Sequence, residues 1–532
     1  MLQRLFHNFT HNPKNDILSG LTVALALVPE AVAFAFVAGL DPLVGLYGAF
    51  IMGLLTALLG GRPGMISGAT GATAVVMIPL ILKGNEIGLG LDNPVADLGV
   101  QWLFVTLLIV GVIQASAGFL RLGKFIRLIP YPVMLGFVNG LAIVIGKAQL
   151  GMFKETVDGQ SQYLSGNDLW IMIGLVALTM GIMVGLPKLT KAIPAALTAI
   201  VVVALITIFG GIDVATVGSF IRDGGGDGLK GSMPTLNLHI FDNLGTISGH
   251  WGLVFLVACQ IAAIGLIESL MTLNLVDELT ETRGSGNRES VAQGLANFVN
   301  GFFGGMGGCA MIGQSMINVN SGGRGRASGI TAALGLLAII LFASSLIEQI
   351  PLAALVGVMF IVVIGTFEWS SFRIMRKVPK ADAFVIFLVS AVTVATDLAV
   401  AVVVGVIVSA LVFAWEHAKH VNVVRSKNNK GSTVYEVNGP LFFGSVTSFL
   451  DQFDMDNDSD HVIVEFKNSR VADHSAIEAI DTVAERYISR GKTLHLVHLS
   501  PECKLLLEKA GDLVEVNVIE DPDYHIATDK LA

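Results

Sequence analysis

The sequence predicts a polytopic α-helical membrane protein that ends in a soluble α/β domain. Of its 532 residues, 53% are hydrophobic and only 14% are charged, and the mean hydropathy is +0.71. A soluble domain carries roughly 25% charged residues, so most of this chain must lie in lipid. The apolar stretches stop at Trp415, after which polar and acidic residues dominate.

Apolar stretches long enough to cross a bilayer, about 20 residues each, recur between Ile17 and Trp415. Gly, Pro and charged residues separate them, and we count fourteen. The predicted spans lie near residues 17–38, 43–60, 66–83, 100–120, 130–149, 168–186, 193–211, 251–273, 290–305, 309–320, 327–346, 351–367, 381–396 and 399–416.

Lys and Arg are distributed unevenly between the loops that alternate along the chain. Cytoplasmic loops of membrane proteins hold the excess of these residues. The richer set of loops contains Arg62, Arg121, Lys124, Arg127, Lys188, Lys191, Arg283, Arg288, Arg324, Arg326, Arg373, Arg376, Lys377 and Lys380. The poorer set contains Lys83, Lys154, Arg222 and Lys230. We therefore expect a multi-pass protein of the inner (plasma) membrane with both termini in the cytoplasm.

The same features divide the chain into four parts. Residues 1–16 form a predicted cytoplasmic N-terminus, 17–416 a membrane domain, 417–431 a polar linker and 432–532 a soluble domain. Strands and helical patterns alternate in the last part, which predicts a small α/β layer. The predicted strands are Thr433–Val437, Val462–Phe466 and Thr493–Val497, and the predicted helices are Ala476–Ser489 and Pro501–Ala510.

Composition and motifs exclude several classes of function. The net charge is −9 and no long basic run occurs, which argues against nucleic acid as a partner. Cys259, Cys309 and Cys503 are spread singly, so we expect neither disulfides nor structural zinc. The Ser-Gly-Ala-Thr-Gly run at 67–71 lacks the Lys of a phosphate-binding loop. We find no nucleophile or metal cluster in the sequence and expect no enzyme and no cofactor.

Acidic residues inside lipid-spanning segments are costly, so each is a candidate functional group. Glu268 lies well inside the eighth span, and Glu30 follows Pro29 in the first. Thr272 is one helical turn from Glu268, so a carboxylate and a hydroxyl can offer oxygen ligands to a small cation. Two alternatives stay open for these acids: each can carry a proton, or simply bond a neighbouring helix.

Two short apolar segments at corresponding positions of the two halves are interrupted by Gly and small hydroxyl residues. The third span begins Met65-Ile-Ser-Gly-Ala-Thr-Gly-Ala-Thr73, and its counterpart seven spans later is 304–320. Such a pair indicates a transporter site built from broken helices. The N-terminus of a half-helix carries free N–H groups and a partial positive charge, and therefore binds anions.

An anion held between two such helix ends would be repelled by Glu30 and Glu268 unless a cation or protons balanced them. No Arg lies within a span to balance the negative charge of these acids. Lys147 is the one basic residue deep in a span, and its side chain can extend to the membrane interface. We therefore expect the anion to move together with a coupling ion, Na+ or H+.

Several motifs resemble those of the SulP (sulfate permease) family of inorganic anion transporters. Val28-Pro-Glu-Ala-Val-Ala-Phe-Ala35 and Ala38-Gly-Leu-Asp-Pro-Leu-Val-Gly-Leu-Tyr47 are similar to its N-terminal signature, and 318–329 is similar to its Asn-x-x-Ala-Gly-x-Arg-Thr-x-x-Ser-Gly motif. The C-terminal part resembles a STAS domain at Asn438-Gly-Pro-Leu-Phe-Phe-Gly-Ser445 and Val471-Ala-Asp-His-Ser-Ala-Ile-Glu478. The resemblance covers essentially the whole chain.

The resemblance implies fourteen transmembrane segments arranged as two inverted repeats of seven, forming a core and a gate domain, followed by a STAS domain at 432–532. It also implies a homodimer and an anion held between the third and tenth helices. The implied anion-binding residues are Ala69, Thr70, Gly71, Gly313, Gln314 and Ser315. Glu268 and Thr272 match the positions where sodium-dependent bicarbonate members place an acid and a Thr.

The departures from the family pattern bear on the substrate. Many members carry Ser-Arg-Ser where this chain has Gly313-Gln314-Ser315, so a positive charge is missing. The STAS region has Asp473-His474-Ser475-Ala476 in place of Asp-Ser-Ser-Gly, which favours Asp473 or Ser475 as a helix cap over a phosphorylation site.

We therefore predict a secondary active transporter for sodium-coupled bicarbonate uptake, with Na+ at Glu268 and Thr272 and with Glu30 in coupling. The first alternative is a proton-coupled permease for sulfate or another oxyanion or dicarboxylate. An anion channel, a STAS-linked membrane sensor and a nucleobase carrier are less well supported.

Overall fold

The protein is described by a computed structural model that divides into two compact units, Met1–Val406 and Ile407–Ala532. The structure describes residues 12–91, 93–123, 130–157, 160–190, 194–223, 228–229, 231–374, 377–396, 398–418, 421–428, 431–499 and 517–518. The predicted helix Pro501–Ala510, Cys503, and the basic residues Lys124, Arg127, Lys191, Lys230 and Arg376 lie outside these ranges.

Within the described residues up to 418, fourteen helices of nine residues or more follow one another, one for each predicted span. Among the described helices, eight are long and apolar enough to cross a membrane by length and composition alone. The helices are α1 Pro13–Val37, α2 Pro42–Leu59, α3 Gly71–Leu89, α4 Leu98–Phe119, α5 Tyr131–Gln149, α6 Gly166–Leu189, α7 Ala195–Gly210, α8 Trp251–Thr280, α9 Gly286–Phe303, α10 Ile312–Asn320, α11 Arg326–Phe342, α12 Leu352–Thr366, α13 Lys380–Ala395 and α14 Leu398–Ala418.

Proline and capping residues fix where the first two helices begin. Pro13 opens α1 after Asn12, whose side chain accepts from Asn15 N at 3.3 Å. Pro42 opens α2 after Asp41, which accepts from Leu43 N at 2.7 Å. Proline suits the first helical position because the N–H that it lacks would have no partner there. The side-chain oxygen before it satisfies one of the remaining free N–H groups.

Short strands precede the third and tenth helices. In chain order the strands of the first unit are β1 Ser67–Ala69, β2 Lys154–Val157, β3 Gln160–Tyr163 and β4 Gly308–Ala310. β2 and β3 form a hairpin between α5 and α6, whereas β1 and β4 pair antiparallel across the two halves of the unit. The third and tenth spans are therefore each a strand followed by a helix, and their helices begin at Gly71 and Ile312, later than predicted.

The helix contacts repeat with an offset of seven, as the prediction of two inverted repeats requires. The contact of α4 with α9 has its counterpart in the contact of α11 with α2, and that of α5 with α13 in that of α12 with α6. The most extensive contacts fall within two groups of helices. One group contains α1–α4 and α8–α11, and the other contains α5–α7, α12 and α13. Gly405 of α14 packs against Val133 of α5 and Val389 of α13.

Loops from the richer basic set meet at one end of this first unit. Arg62 Nε lies 3.1 Å from Asp277 Oδ1 at the end of α8. Arg326 at the start of α11 donates to Ala57 O at 2.7 Å, and Arg324 N donates to Asp16 Oδ1 at 2.9 Å near the start of α1. The structure thus places several of the loops that were predicted to be cytoplasmic beside one another and beside the N-terminal helix.

The second unit contains a five-stranded mixed sheet in the order β5-β6-β7-β8-β9. β5 Asn422–Lys427 is antiparallel to β6 Thr433–Asn438, and β7 His461–Asn468, β8 Thr493–Val497 and β9 Asn517–Val518 continue in parallel. The helices are α15 Val446–Leu450 and α16 His474–Ile488. Asp473 caps α16 by accepting from Ala476 N at 2.9 Å, as predicted.

Part of the predicted linker at 417–431 is strand. β5 pairs with β6 over its whole length, from Asn422 opposite Asn438 to Lys427 opposite Thr433. Most of its side chains are exposed because β5 is the edge strand of the sheet. An exposed edge strand has no apolar alternation to distinguish its sequence from that of a polar linker.

Candidate functional site

The site forms where the two interrupted segments meet. β1 and β4 lie antiparallel with Gly68 opposite Cys309, and all residues of both strands are buried. Each strand leads directly into the N-terminus of a helix, through Thr70 into α3 and through Met311 into α10. Among the contacts of the described residues, no side chain caps either helix. The N–H groups of both first turns are therefore available to a ligand.

Glycine allows the two strands to approach this closely. A Cβ atom at Gly308 would lie 2.1 Å from the carbonyl oxygen of Gly68, which no side chain can tolerate. A Cβ atom at Gly68 would lie 3.0 Å from Met311 Sδ. The Gly-rich composition therefore reflects close backbone contact as well as helix interruption.

A row of buried polar side chains on α9, which the sequence reasoning missed, supports the strand pair. Asn297 and the main chain of Gly308 exchange two hydrogen bonds of 3.0 Å. Gln293 Nε2 donates to Ser67 Oγ at 2.8 Å, Asn300 Nδ2 donates to Met306 O at 2.9 Å, and Glu289 accepts from Gly61 N at 2.7 Å. The signal was present in the sequence as polar residues at 289, 293, 297 and 300, which share one helix face.

Glu268 and Thr70 approach the same atom from opposite segments. The thiol of Cys309 donates to Glu268 Oε2 at 2.9 Å, and Cys309 Sγ lies 3.2 Å from Thr70 Oγ1. The Thr272 hydroxyl donates to the main-chain oxygen of Glu268 at 2.8 Å. Glu268 and Thr272 thus lie one turn apart on α8, and Cys309 links the Glu268 carboxylate to the start of α3.

Gln314 and Ser315 are both buried on α10. The Gln314 side chain lies near the Glu30 carboxylate on α1. Ser315 Oγ accepts from Ile66 N at 3.0 Å and donates to Ile66 O at 3.3 Å, which fixes the chain just before β1. The structure therefore brings Glu30 to the α10 side of the site, while Glu268 lies beside β4.

The remaining predicted residues lie at the two helix ends. Ala69 is buried at the end of β1, and Gly71 packs against Ile145 of α5, where a Cβ atom would lie 2.6 Å from Ile145 Cδ1. Gly313 is exposed, and a Cβ atom there would have no neighbour within 4 Å. The structure brings the predicted site residues around one strand crossing, and their roles in ion binding stay predictions.

Comparison with known proteins identifies two parts of the chain. The profile of the sulfate permease family matches residues 14–389, and the profile of the STAS domain matches residues 421–522. The second match begins near the start of β5, in agreement with the strand found in the predicted linker.

Two relatives are similar over almost their full lengths. "Putative sulfate transporter YbaR" of Bacillus subtilis is 38% identical over 503 residues, which cover 94% of this chain and 97% of the relative. "Bicarbonate transporter BicA" of Synechocystis is 28% identical over 530 residues, which cover 94% of this chain and 90% of the relative.

Two solved structures have a similar fold. The transmembrane domain of a cyanobacterial bicarbonate transporter, BicA, has a TM-score of 0.61 and 31% identity, and the match covers 73% of this chain and 97% of that domain. The murine anion transporter Slc26a9 has a TM-score of 0.74 and 18% identity, with coverage of 93% and 87%. The predicted fold class, a helical membrane transporter with a C-terminal STAS domain, is confirmed.

Proposed function

Because the chain belongs to the sulfate permease family of anion transporters, we propose that it is a secondary active transporter that takes up bicarbonate together with sodium. The observation that carries this proposal is the antiparallel crossing of β1 and β4. It brings the uncapped N-termini of α3 and α10 together and sets Glu268 against the same strand pair.

The donors around this crossing are suited to an anion of low charge. The first-turn N–H groups of α3 and α10 and the hydroxyl of Thr70 are neutral donors, and each helix N-terminus contributes about +0.5 charge. Two helix ends thus offset about one negative charge. Gln314, which stands where many family members carry Arg, adds none. A monovalent anion such as bicarbonate is balanced, whereas a divalent anion retains an excess negative charge.

Sodium is the proposed counter-ion of Glu268. A hard cation prefers oxygen ligands, and the Glu268 carboxylate and the Thr272 hydroxyl oxygen lie one turn apart on α8. With Glu268 ionised, an anion at the crossing is repelled until a cation neutralises the carboxylate. Occupancy of the cation site therefore favours occupancy of the anion site, which is the requirement for symport.

Sulfate is the second candidate, and one observation favours it. The relative at 38% identity has sulfate in its name, whereas the relatives named for bicarbonate are 28–29% identical. A sulfate permease with this site needs additional positive charge, which protons on Glu30 and Glu268 would supply. Sulfate transport should then follow the proton gradient and be indifferent to sodium.

We also propose that the protein lies in the plasma membrane with both termini in the cytoplasm and that it forms a homodimer. The clustering of Arg62, Arg324 and Arg326 at one end of the membrane unit supports this orientation, because cytoplasmic loops are rich in basic residues. The homodimer rests on the family resemblance alone.

Uptake into proteoliposomes tests the proposal. We expect radiolabelled bicarbonate to accumulate when sodium is high outside and to stop accumulating when the sodium gradient is removed. Glu268→Gln should abolish sodium-dependent uptake because it removes the carboxylate while retaining its size. Glu278→Gln is the matched control, since Glu278 is an exposed acid on the same helix.

Three outcomes contradict parts of the proposal. If Glu268→Gln takes up bicarbonate with unchanged sodium dependence, Glu268 does not bind the cation. Sulfate uptake that follows the proton gradient, without bicarbonate uptake, selects the second candidate. Flux that only follows the electrochemical gradient of the anion, with no accumulation against it, indicates a channel.

A further inference from the structure

Cys309 lies at the centre of the strand crossing, between the two proposed ion sites. It is fully buried on β4, opposite Gly68. Its sulfur atom lies 2.9 Å from Glu268 Oε2 on the cation side and 3.2 Å from Thr70 Oγ1 on the anion side. Cys309 is thus in direct contact with a residue of each proposed site.

The direction of the hydrogen bonds follows from counting hydrogens. A thiol has one hydrogen and an ionised carboxylate has none, so the Cys309 hydrogen must lie toward Glu268. The neighbouring Thr73 hydroxyl faces two carbonyl oxygens, Thr70 O and Gly307 O, each at 3.0 Å, and donates there. The one hydrogen of the Thr70 hydroxyl then has two acceptors, Cys309 Sγ at 3.2 Å and Thr73 Oγ1 at 3.1 Å. Donation to sulfur completes a chain of donors from Thr70 to Cys309 to Glu268.

We propose that Cys309 couples cation binding to anion binding by reversing this chain, an inference that rests on the proposed function. A cation on the Glu268 carboxylate competes with the thiol for the same lone pairs. The thiol then turns and donates to Thr70 Oγ1. With the thiol donating to Thr70 Oγ1, sulfur no longer accepts the Thr70 hydroxyl hydrogen, which is then available to an anion at the start of α3. Only side-chain rotations are involved, and every hydrogen stays on its own oxygen or sulfur atom.

This coupling has a measurable reciprocal form. If sodium raises the affinity for the anion by a certain factor, the anion raises the affinity for sodium by the same factor. Couplings of this kind are typically about 5- to 150-fold. Cys309→Ala removes the bonds to Glu268 and to Thr70 and should reduce the coupling factor to less than about 2. The binding of each ion alone should stay measurable. Cys309→Ser retains one donor hydrogen and an acceptor, and should keep the coupling.

The experiment uses the purified full-length protein and its thermal unfolding, because a bound ion raises the apparent Tm by an amount set by its affinity. Sodium is titrated with and without saturating bicarbonate, and bicarbonate with and without saturating sodium, with choline as the inert cation. Cys259→Ala is the matched control, since Cys259 is a free cysteine on α8, about two and a half helical turns before Glu268.

Each outcome has one meaning. Coupling that is lost in Cys309→Ala, kept in Cys309→Ser and kept in Cys259→Ala supports the inference. Coupling that persists in Cys309→Ala overturns it and leaves the proposed function intact. Loss in Cys309→Ser also overturns it, because that variant can form both bonds. A wild-type protein without any coupling overturns the proposed symport itself and the inference with it.

Should Cys309→Ala fail to fold, Thr70→Val provides the decisive second variant. Valine has nearly the shape of threonine but cannot donate to sulfur or to an anion. The Cys309 contact with Glu268 stays in place, so sodium alone should still bind. The expected result is that bicarbonate still binds alone to the N–H groups but no longer strengthens sodium binding, and retained coupling in this variant overturns the inference.

Discussion

Asn297→Ala should destabilise the membrane unit severely, because Asn297 supports the strand that carries the site. Asn297 is fully buried on α9. Gly308 N donates to its Oδ1 at 3.0 Å, and its Nδ2 donates to Gly308 O at 3.0 Å and to Gln114 Oε1 at 2.9 Å. Alanine leaves these three groups buried without partners.

The magnitude follows from those three groups. Each buried polar group that loses its partner costs about 1–3 kcal/mol, so the total is at least about 3 kcal/mol. Native proteins are stable by only about 5–15 kcal/mol, so this loss is a large fraction of the total. We expect the apparent Tm of the full-length protein in detergent to fall by roughly 10 °C. Anion uptake should be lost in parallel, because β4 delivers both Cys309 and the N-terminus of α10.

Two further variants sharpen the test. Asn297→Asp keeps an acceptor for Gly308 N–H but turns a carboxylate toward the oxygens of Gly308 and Gln114, so it should be at least as unstable as Asn297→Ala. Asn320→Ala removes an exposed amide at the end of α10 and should be neutral. A Tm for Asn297→Ala within roughly 2 °C of the wild type would refute the reasoning.

Two other predictions concern the site and the STAS domain. Gly313→Ala places a methyl group in open space, so the free energy of unfolding should stay the same or rise slightly. The anion concentration that gives half-maximal uptake should rise. An unaltered uptake curve would show that Gly313 is not part of the site. In the STAS domain, Tyr435 and Tyr487 donate to the buried carboxylate of Asp458 at 2.8 and 2.6 Å. Burial raises the pKa of both tyrosines, so the folded domain keeps their protons after the unfolded chain begins to lose them at about pH 10, and stability falls as the pH rises above that value. Tyrosinate absorbance should show that these two hydroxyls ionise only when the domain unfolds, and ordinary titration of both in the folded protein would contradict this.

The positions of the fourteen helices could be predicted because bilayer thickness fixes the length of each apolar segment. The prediction was less accurate where the chain changes conformation within the membrane and at the end of α8, which extends seven residues beyond the predicted span 251–273 to Thr280. Residues 67–69 and 308–310 are too short and too glycine-rich to indicate a strand locally, and each forms one only because the other is present. A pairing between residues more than two hundred positions apart has no local sequence signal.

The candidate site could be predicted in composition but not in geometry. The small residues around Thr70 and Gly313 indicated two helix interruptions, and the family resemblance indicated that they face each other. The contact between Cys309 and Glu268 had no such signal, because a single cysteine in an apolar segment is ordinarily a small apolar side chain. The polar row on α9 had a signal in its helical spacing.

The proposed ion site depends on the polar row on α9. Backbone groups inside a membrane must be bonded within the protein, so a helix can be interrupted there only if other groups replace its hydrogen bonds. β1 and β4 bond to each other, Asn297 bonds Gly308, Ser269 accepts from Ala310 N at 3.1 Å, and Ser315 accepts from Ile66 N. In the described structure, no side chain caps the first-turn N–H groups of α3 and α10. The side chains that make the interruption possible therefore also determine which donors are left for the anion, so substitutions at Asn297 or Ser269 should weaken anion binding without touching the anion.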